Sequence, residues 1–407
     1  MSVPKKFNPI PFPYHKELEI TIDFITNLGK GVGKSEGWVI MVPFVMPGEY
    51  VRVRIFKNYS NYSEADLVEI LKPASGRVVP KCKHFSKCGG CQYQHISYDE
   101  QINIKTMQVA DILKKNAEID FEVKTAIKSP LQYAYRSKIT PHYNRPDKNG
   151  EQPIGFLANG RKYDIIDVNH CPIATNKINE NFNEIRERAY ADGGRKRRKR
   201  GGTLLLRDTI EGVTTDPKKI VSQKVGSILF QFRAGDFFQN NPSIINELVN
   251  YVKVSASGRE INNLVDAYCG VGLFALSCSS LFKKVVGVEI SESAIDFAKT
   301  NAKIHKISNV LFQKGNAESI FSNLSFDGHD SSVVVDPPRK GCDLGFLDQL
   351  IEFKPKKVIY VSCDPATQAR DIKYLVNDCY TIREIQPFDL FPHTRHIESV
   401  AILERKF

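Results

Sequence analysis

Between Ile261 and Val361 the chain alternates short β-branched apolar runs with longer stretches of helical character, and few folds accept that pattern. Val265, Val285–Val288, Val333–Val335 and Val358–Val361 carry no polar face, so each strand must be covered on both sides. Helices packed on both faces of a mostly parallel sheet provide that cover, which makes a doubly wound α/β sheet the expectation. Two further strands, Thr381–Pro387 and Ser399–Leu403, flank a loop rich in His and Phe. Open sheets of this type bind ligands outside the carboxyl ends of their strands, so residues at those ends are the first candidates for chemistry.

A chain of 407 residues exceeds one ordinary core, and its upstream pattern is different. Apolar runs at Glu19–Ile25, Val39–Val42, Tyr50–Phe56 and Ala65–Leu71 are punctuated by Gly29, Gly31, Gly33, Gly37 and Pro47-Gly48. Short strands with glycine turns, about five at this length, imply a small closed barrel of the OB type over 14–73, a fold common among RNA binders. Residues 74–235 are expected to form a β-rich, irregular central unit for RNA contact. Within it a helix at 97–117 can pack on the α/β unit; Ser97-x-x-Glu100 reads as its capping box, and Ile102, Thr106, Val109 and Leu113 as its apolar face. Residues 236–407 make up the α/β unit.

A net charge of +11 favours a polyanionic partner. Six consecutive cations, Arg195–Arg200, lie between glycine pairs and are expected to form a loop that either touches phosphates or is simply solvated. No run of about 18 apolar residues and no targeting peptide is evident, so the expectation is an intracellular monomer off the membrane. Cytoplasm or nucleus is the expected compartment, with the mitochondrion as a third option.

Three of the nine cysteines crowd together as Cys82-x5-Cys88-Gly-Gly-Cys91, and Cys171 stands in His170-Cys171-Pro172. Four soft thiolates suit a [4Fe–4S] cluster or a tetrahedral zinc ion. Zinc ribbons usually come as two close pairs, so the three-plus-one spacing favours iron–sulfur.

In the α/β unit, Leu264–Gly272 reads as a strand, a Gly-rich turn and the start of a helix. Glu289 ends the next strand, where a ribose diol would sit. Dinucleotide sites share both features, but Ala275 stands where their third glycine belongs. Asp336-Pro337-Pro338 ends a later strand; two prolines stop the sheet and stiffen a loop of the kind methyltransferases use on planar bases. S-adenosylmethionine is therefore preferred to a nicotinamide cofactor. Cys363 follows another buried strand on the same edge, which favours a nucleophile over an inert core thiol. A thiolate adding to carbon 6 of uracil would activate carbon 5 toward a methyl sulfonium, and a base must then remove the carbon 5 proton. Glu398, His393 and His396 are all candidates for that base.

Several segments together resemble the RNA 5-methyluridine methyltransferases of the TrmA/RumA group across nearly the whole chain. They are Phe238–Asn241 (FQNN), the Gly-rich turn from Asp266, Val333–Gly341 (VVVDPPRKG), Tyr360–Pro365 (YVSCDP) and Phe391–Glu398 (FPHTRHIE). The resemblance implies an N-terminal barrel of the TRAM type and a methyl-donor site lined by Gln239, Tyr268, Glu289, Asn316 and Asp336. It further implies Cys363 as nucleophile, Glu398 as proton acceptor, and a [4Fe–4S] cluster on Cys82, Cys88, Cys91 and Cys171. Family members extrude the target base into the pocket. The Arg/Lys-rich insertion favours tRNA, at its T-loop uridine, over ribosomal RNA. An RNA-binding protein or chaperone with an idle site is the alternative from another class.

Overall fold

The computed structural model describes residues 3–144, 152–161, 163–192, 201–315, 320–321 and 324–406. Asn316 and the cationic run Arg195–Arg200 lie outside the described residues. Among those described, no helix is long and apolar enough to cross a membrane.

Five strands, β1 (Glu17–Ile25), β2 (Lys30–Ser35), β3 (Trp38–Pro43), β4 (Tyr50–Asn58) and β5 (Tyr62–Lys72), close a barrel in the order β1-β2-β3-β5-β4. Alternate residues of β1 and β4, Ile20 and Ile22 with Val51, Val53 and Ile55, fill its interior. The glycines at 31 and 33, expected to punctuate, lie within β2. A Cβ on Gly31 would stand 2.3 Å from Val45, and one on Gly33 would stand 2.3 Å from the Thr21 carbonyl oxygen. These glycines permit close strand approach rather than a turn.

Helix α1 (Tyr98–Ile112) follows the cysteine-rich segment. Ser97 occupies its N-cap, but the side chain makes no cap hydrogen bond, so the expected capping box does not form. Packing holds the helix instead: Ile102, Val109 and Leu113 enter the core of the C-terminal sheet, each burial contributing about 1.5–3 kcal/mol. The central region contains two small sheets of very short strands and the hairpin Ile220–Val225/Ile228–Arg233. It also contains a 17-residue helix, α2 (Asn176–Asp192), where irregular β structure was expected. Ile178, Phe182 and Ile185 recur at helical spacing and pack into the local core, a signal diluted by the polar residues between them.

The C-terminal sheet has seven strands: β6 (Asn263–Ala267), β7 (Lys284–Glu289), β8 (Val310–Lys314), β9 (Ser331–Val335), β10 (Lys357–Ser362), β11 (Tyr380–Phe388) and β12 (Glu398–Arg405). Their order is β8-β7-β6-β9-β10-β12-β11; the first five are parallel, and β12 runs antiparallel to both neighbours. Leu264, Val285, Val334 and Ile359 face one core with α3 (Ile245–Ala256), α4 (Leu273–Cys278) and α5 (Glu292–Ile304). Val265, Val286, Val333 and Val358 face the other, with α1, α6 (Leu344–Phe353) and α7 (Pro365–Asp378). The doubly wound α/β fold follows from that two-residue alternation under two helical layers.

Candidate active site

Strand order reverses between β6 and β9, which opens a crevice at their carboxyl ends. On its β6 side, Gly270 and Gly272 take φ of 54° and 89°, values that favour glycine. A Cβ on Gly270 would meet nothing within 4 Å, so the turn faces open space. Glu289, at the end of β7, accepts from the Gly270 N–H at 3.2 Å and the Ser291 N–H at 2.8 Å, which fixes its carboxylate over the turn. Asp266 is fully buried; its Oδ2 accepts from Ala275 N–H at 2.7 Å, and its Oδ1 has no partner among the described residues. Burial, with Asp336 and Glu289 nearby, pushes its pKa well up. Tyr268, at φ 66°, sets its ring 5.5 Å from Phe346 and turns its hydroxyl toward Cys342.

Across the crevice, three candidate residues and one unexpected one meet. Ser362 of β10 pairs with Ser399 of β12, so Cys363 and Glu398 stand opposite each other immediately beyond that pair. Glu398 is buried at 3% exposure. Its pKa is pushed well above the ordinary carboxyl value, first by burial and then by Asp336, with Arg339 opposing. Burial also raises Asp336, to about 7. Two carboxyls in one poorly solvated place cannot both ionise freely, so their titrations are linked. Burial lifts the Cys363 thiol to about 11; Glu398 adds to the shift and Arg339 counters it. Arg339 therefore belongs to the site although sequence reasoning gave it no role; its place two residues after Pro337 in the stiff loop was the available signal.

The two histidines differ from what their chemistry alone suggested. Burial lowers His393 to about 3 and His396 to about 4. His393 is a scaffold group: its ring stacks on Tyr133 at 4.1 Å and meets Gln101 of α1 at 3.1 Å. Burial thus makes both rings weaker bases than a free imidazole, whereas it makes the Glu398 carboxylate a stronger one. Gln239 is buried next to Phe238, whose ring stacks on Phe232 at 4.5 Å. Among the described residues no hydrogen bond joins Gln239 to the other candidates, and Asn316 lies outside them.

Cys82, Cys88, Cys91 and Cys171 line one cavity of about 630 Å³, together with Arg136 and His170. All four are free thiols, and burial is the main force raising Cys91 and Cys171, the latter to about 11. Among the described residues, no group of three or more His, Cys, Asp or Glu closes into a metal-holding arrangement. The expected metal centre is thus present as a converging donor set and not as a formed site.

Comparison with known proteins bears on both ends of the chain. The family model for tRNA (Uracil-5-)-methyltransferase matches residues 218–406, and the TRAM domain model matches 15–68. The chain is 40% identical to the tRNA (uracil(54)-C(5))-methyltransferase of Schizosaccharomyces pombe, over 97% of this chain and 80% of that one. It is 33% identical to the Saccharomyces cerevisiae protein of the same name, over 98% and 75%. The crystal structure of Pyrococcus abyssi tRNA (uracil-54, C5)-methyltransferase in complex with S-adenosyl-L-homocysteine matches with a TM-score of 0.74 at 25% identity, over 95% of this chain and 100% of that one. Barrel, doubly wound sheet and whole-length identity agree: this enzyme belongs to the tRNA (uracil-5-)-methyltransferase family.

Proposed function

We propose that the enzyme transfers a methyl group from S-adenosylmethionine to carbon 5 of a uridine in tRNA. Position 54 is the target, as the names of the yeast relatives specify for those proteins. The observation that carries the mechanism is the meeting of Cys363, Glu398, Asp336 and Arg339 at one edge of the sheet. The open Gly270 turn and the fixed Glu289 carboxylate suit a nucleoside-bearing cation such as the donor.

Burial holds the Cys363 thiol at about 11, so its ionisation accompanies substrate binding, with Arg339 as the cation that favours it. The thiolate adds to carbon 6 and the uracil becomes an enolate. Carbon 5 then takes the methyl group, and S-adenosylhomocysteine leaves with the sulfonium's bonding pair. Glu398 accepts the carbon 5 proton, and the enolate formed expels Cys363 as thiolate. Labelled S-adenosylmethionine should place its methyl in 5-methyluridine recovered from tRNA, read by nucleoside mass spectrometry. Label in ribosomal RNA alone would change the substrate, and none in either would leave a binding protein.

A [4Fe–4S] cluster on the four cysteines is part of the same reading. Convergence of Cys82, Cys88, Cys91 and Cys171 on one cavity supports it. When bound it would tie the cysteine-rich segment to the central region. Anaerobically purified protein is expected to contain iron and absorb broadly in the visible, and Cys171→Ala to lose both. Zinc without iron in that preparation would replace the cluster with a single ion.

A further inference from the structure

One face of α7 grips the loop that follows β9. The Asp371 carboxylate is fully buried. Its Oδ2 accepts from the Tyr360 hydroxyl at 2.6 Å and from the Cys342 N–H at 2.8 Å, and its Oδ1 accepts from Arg370 Nε at 2.7 Å. Arg370 Nη2 donates to the carbonyls of Lys340 at 3.1 Å and Cys342 at 3.0 Å. Thr367 Oγ1 donates to the Arg339 carbonyl at 3.2 Å. Gly341, at φ 74°, lies flush on this face, where a Cβ would come within 2.6 Å of Arg370 and 2.7 Å of Asp371. The same helix begins at Pro365, capped by Asp364, directly after Cys363. One rigid element thus carries the nucleophile at its start and holds the loop bearing Asp336 and Arg339 over its first two turns.

We infer that Asp371, with Arg370 and Thr367, is a positioning clamp that sets Asp336 and Arg339 against Cys363. The inference rests on the covalent reading of Cys363 given above. Asp371→Asn keeps the shape but offers one acceptor oxygen to donors that now arrive on both carboxylate oxygens. An amide nitrogen must then face either Arg370 or the Tyr360 and Cys342 donors, and the loop shifts to relieve that conflict. Displacement of reacting groups by a fraction of an ångström is costly, so kcat should fall about tenfold or more, with KM for tRNA nearly unchanged. Arg370 has a side chain 55% exposed, and Arg370→Gln should lower kcat about threefold through the lost carbonyl contacts.

The experiment is steady-state kinetics of both variants in the full-length protein, with thermal melting and tRNA binding as controls. A fall in kcat with KM, tRNA affinity and melting retained supports the clamp. Wild-type kcat in both variants, or a fall matched by equal losses of binding and stability, overturns it. If Asp371→Asn does not fold, Arg370→Gln decides alone by the same criteria. Repeating the variants with Glu398→Gln and measuring protein–RNA adduct separates the two readings. Absence of adduct in Glu398→Gln itself removes the covalent reading, while the kcat and KM values still decide the clamp.

Discussion

Glu398→Gln enzyme supplied with S-adenosylmethionine and tRNA is expected to stall as a covalent protein–RNA species. Addition of Cys363 and methyl transfer need no base at carbon 5, but elimination does, and an amide cannot accept the proton. The position is closed to rescue: Glu398 is 3% exposed, and His396 nearby is held at about 4 by burial and Arg339. Loss of a general base costs about 10²–10⁴-fold in turnover. The adduct should survive denaturation on a gel, and adding Cys363→Ala should abolish it along with all methylation. On the proposed mechanism the base must be ionised in the parent enzyme, and burial raises the Glu398 carboxyl well above its ordinary value, with Asp336 adding to the shift. The rate should therefore rise with pH above the ordinary carboxyl range, because a raised carboxyl stays protonated, and idle, below its pKa. Continued turnover by Glu398→Gln, with no slow-migrating band, would falsify the assignment.

The parts of this site legible in the sequence were those where chemistry and fold boundary coincide. Cys363, Asp336 and Glu289 sit at or just past the carboxyl ends of parallel strands and Glu398 at the start of antiparallel β12, boundaries that were readable because fully buried strands are continuous apolar runs. Arg339 was less legible, since its role depends on how a loop folds back, and that is decided by Asp371 and Arg370 some thirty residues on. The same limit applied in the barrel. Gly31 and Gly33 read as turns because glycine has no side chain to show a periodicity, yet it is the nearness of Val45 and the Thr21 carbonyl that requires them. In α2 the fault was different: Ile178, Phe182 and Ile185 carried the right spacing, but the surrounding Asn, Glu and Arg lowered the apolar content below what a helix buried on one side usually shows. Local pattern thus located the candidate groups, and long-range contact determined what surrounds them.

Lys105→Met is expected to destabilise the protein by about 3–5 kcal/mol, the cost of leaving one member of a buried ion pair alone. Lys105 of α1 and Asp389 are both fully buried, with Nζ 2.6 Å from Oδ1, and Nζ also donates to the Phe391 carbonyl at 3.1 Å. Asp389 Oδ2 has no partner among the described residues, so without Lys105 the carboxylate keeps neither counter-ion nor solvent. Asp389→Asn should cost less, because burial already lowers the Lys105 pKa and the amine can shed its proton. Lys105→Met combined with Asp389→Leu should recover most of the loss, since an apolar pair of similar volume carries no desolvation penalty. Denaturant melts of the parent, Lys105→Met, Asp389→Leu and the double variant test this as a double-mutant cycle; losses in the two single variants that simply add in the double would show no coupling. The pair also fixes one end of the segment that leads from Asp389 to Glu398, which α1 grips again where Gln101 accepts the His393 N–H at 2.9 Å. Loosening that segment should retard proton removal more than thiolate addition, so Lys105→Met in an otherwise intact chain should accumulate some adduct during turnover. Reduced stability with no adduct would confine the ion pair to holding the fold.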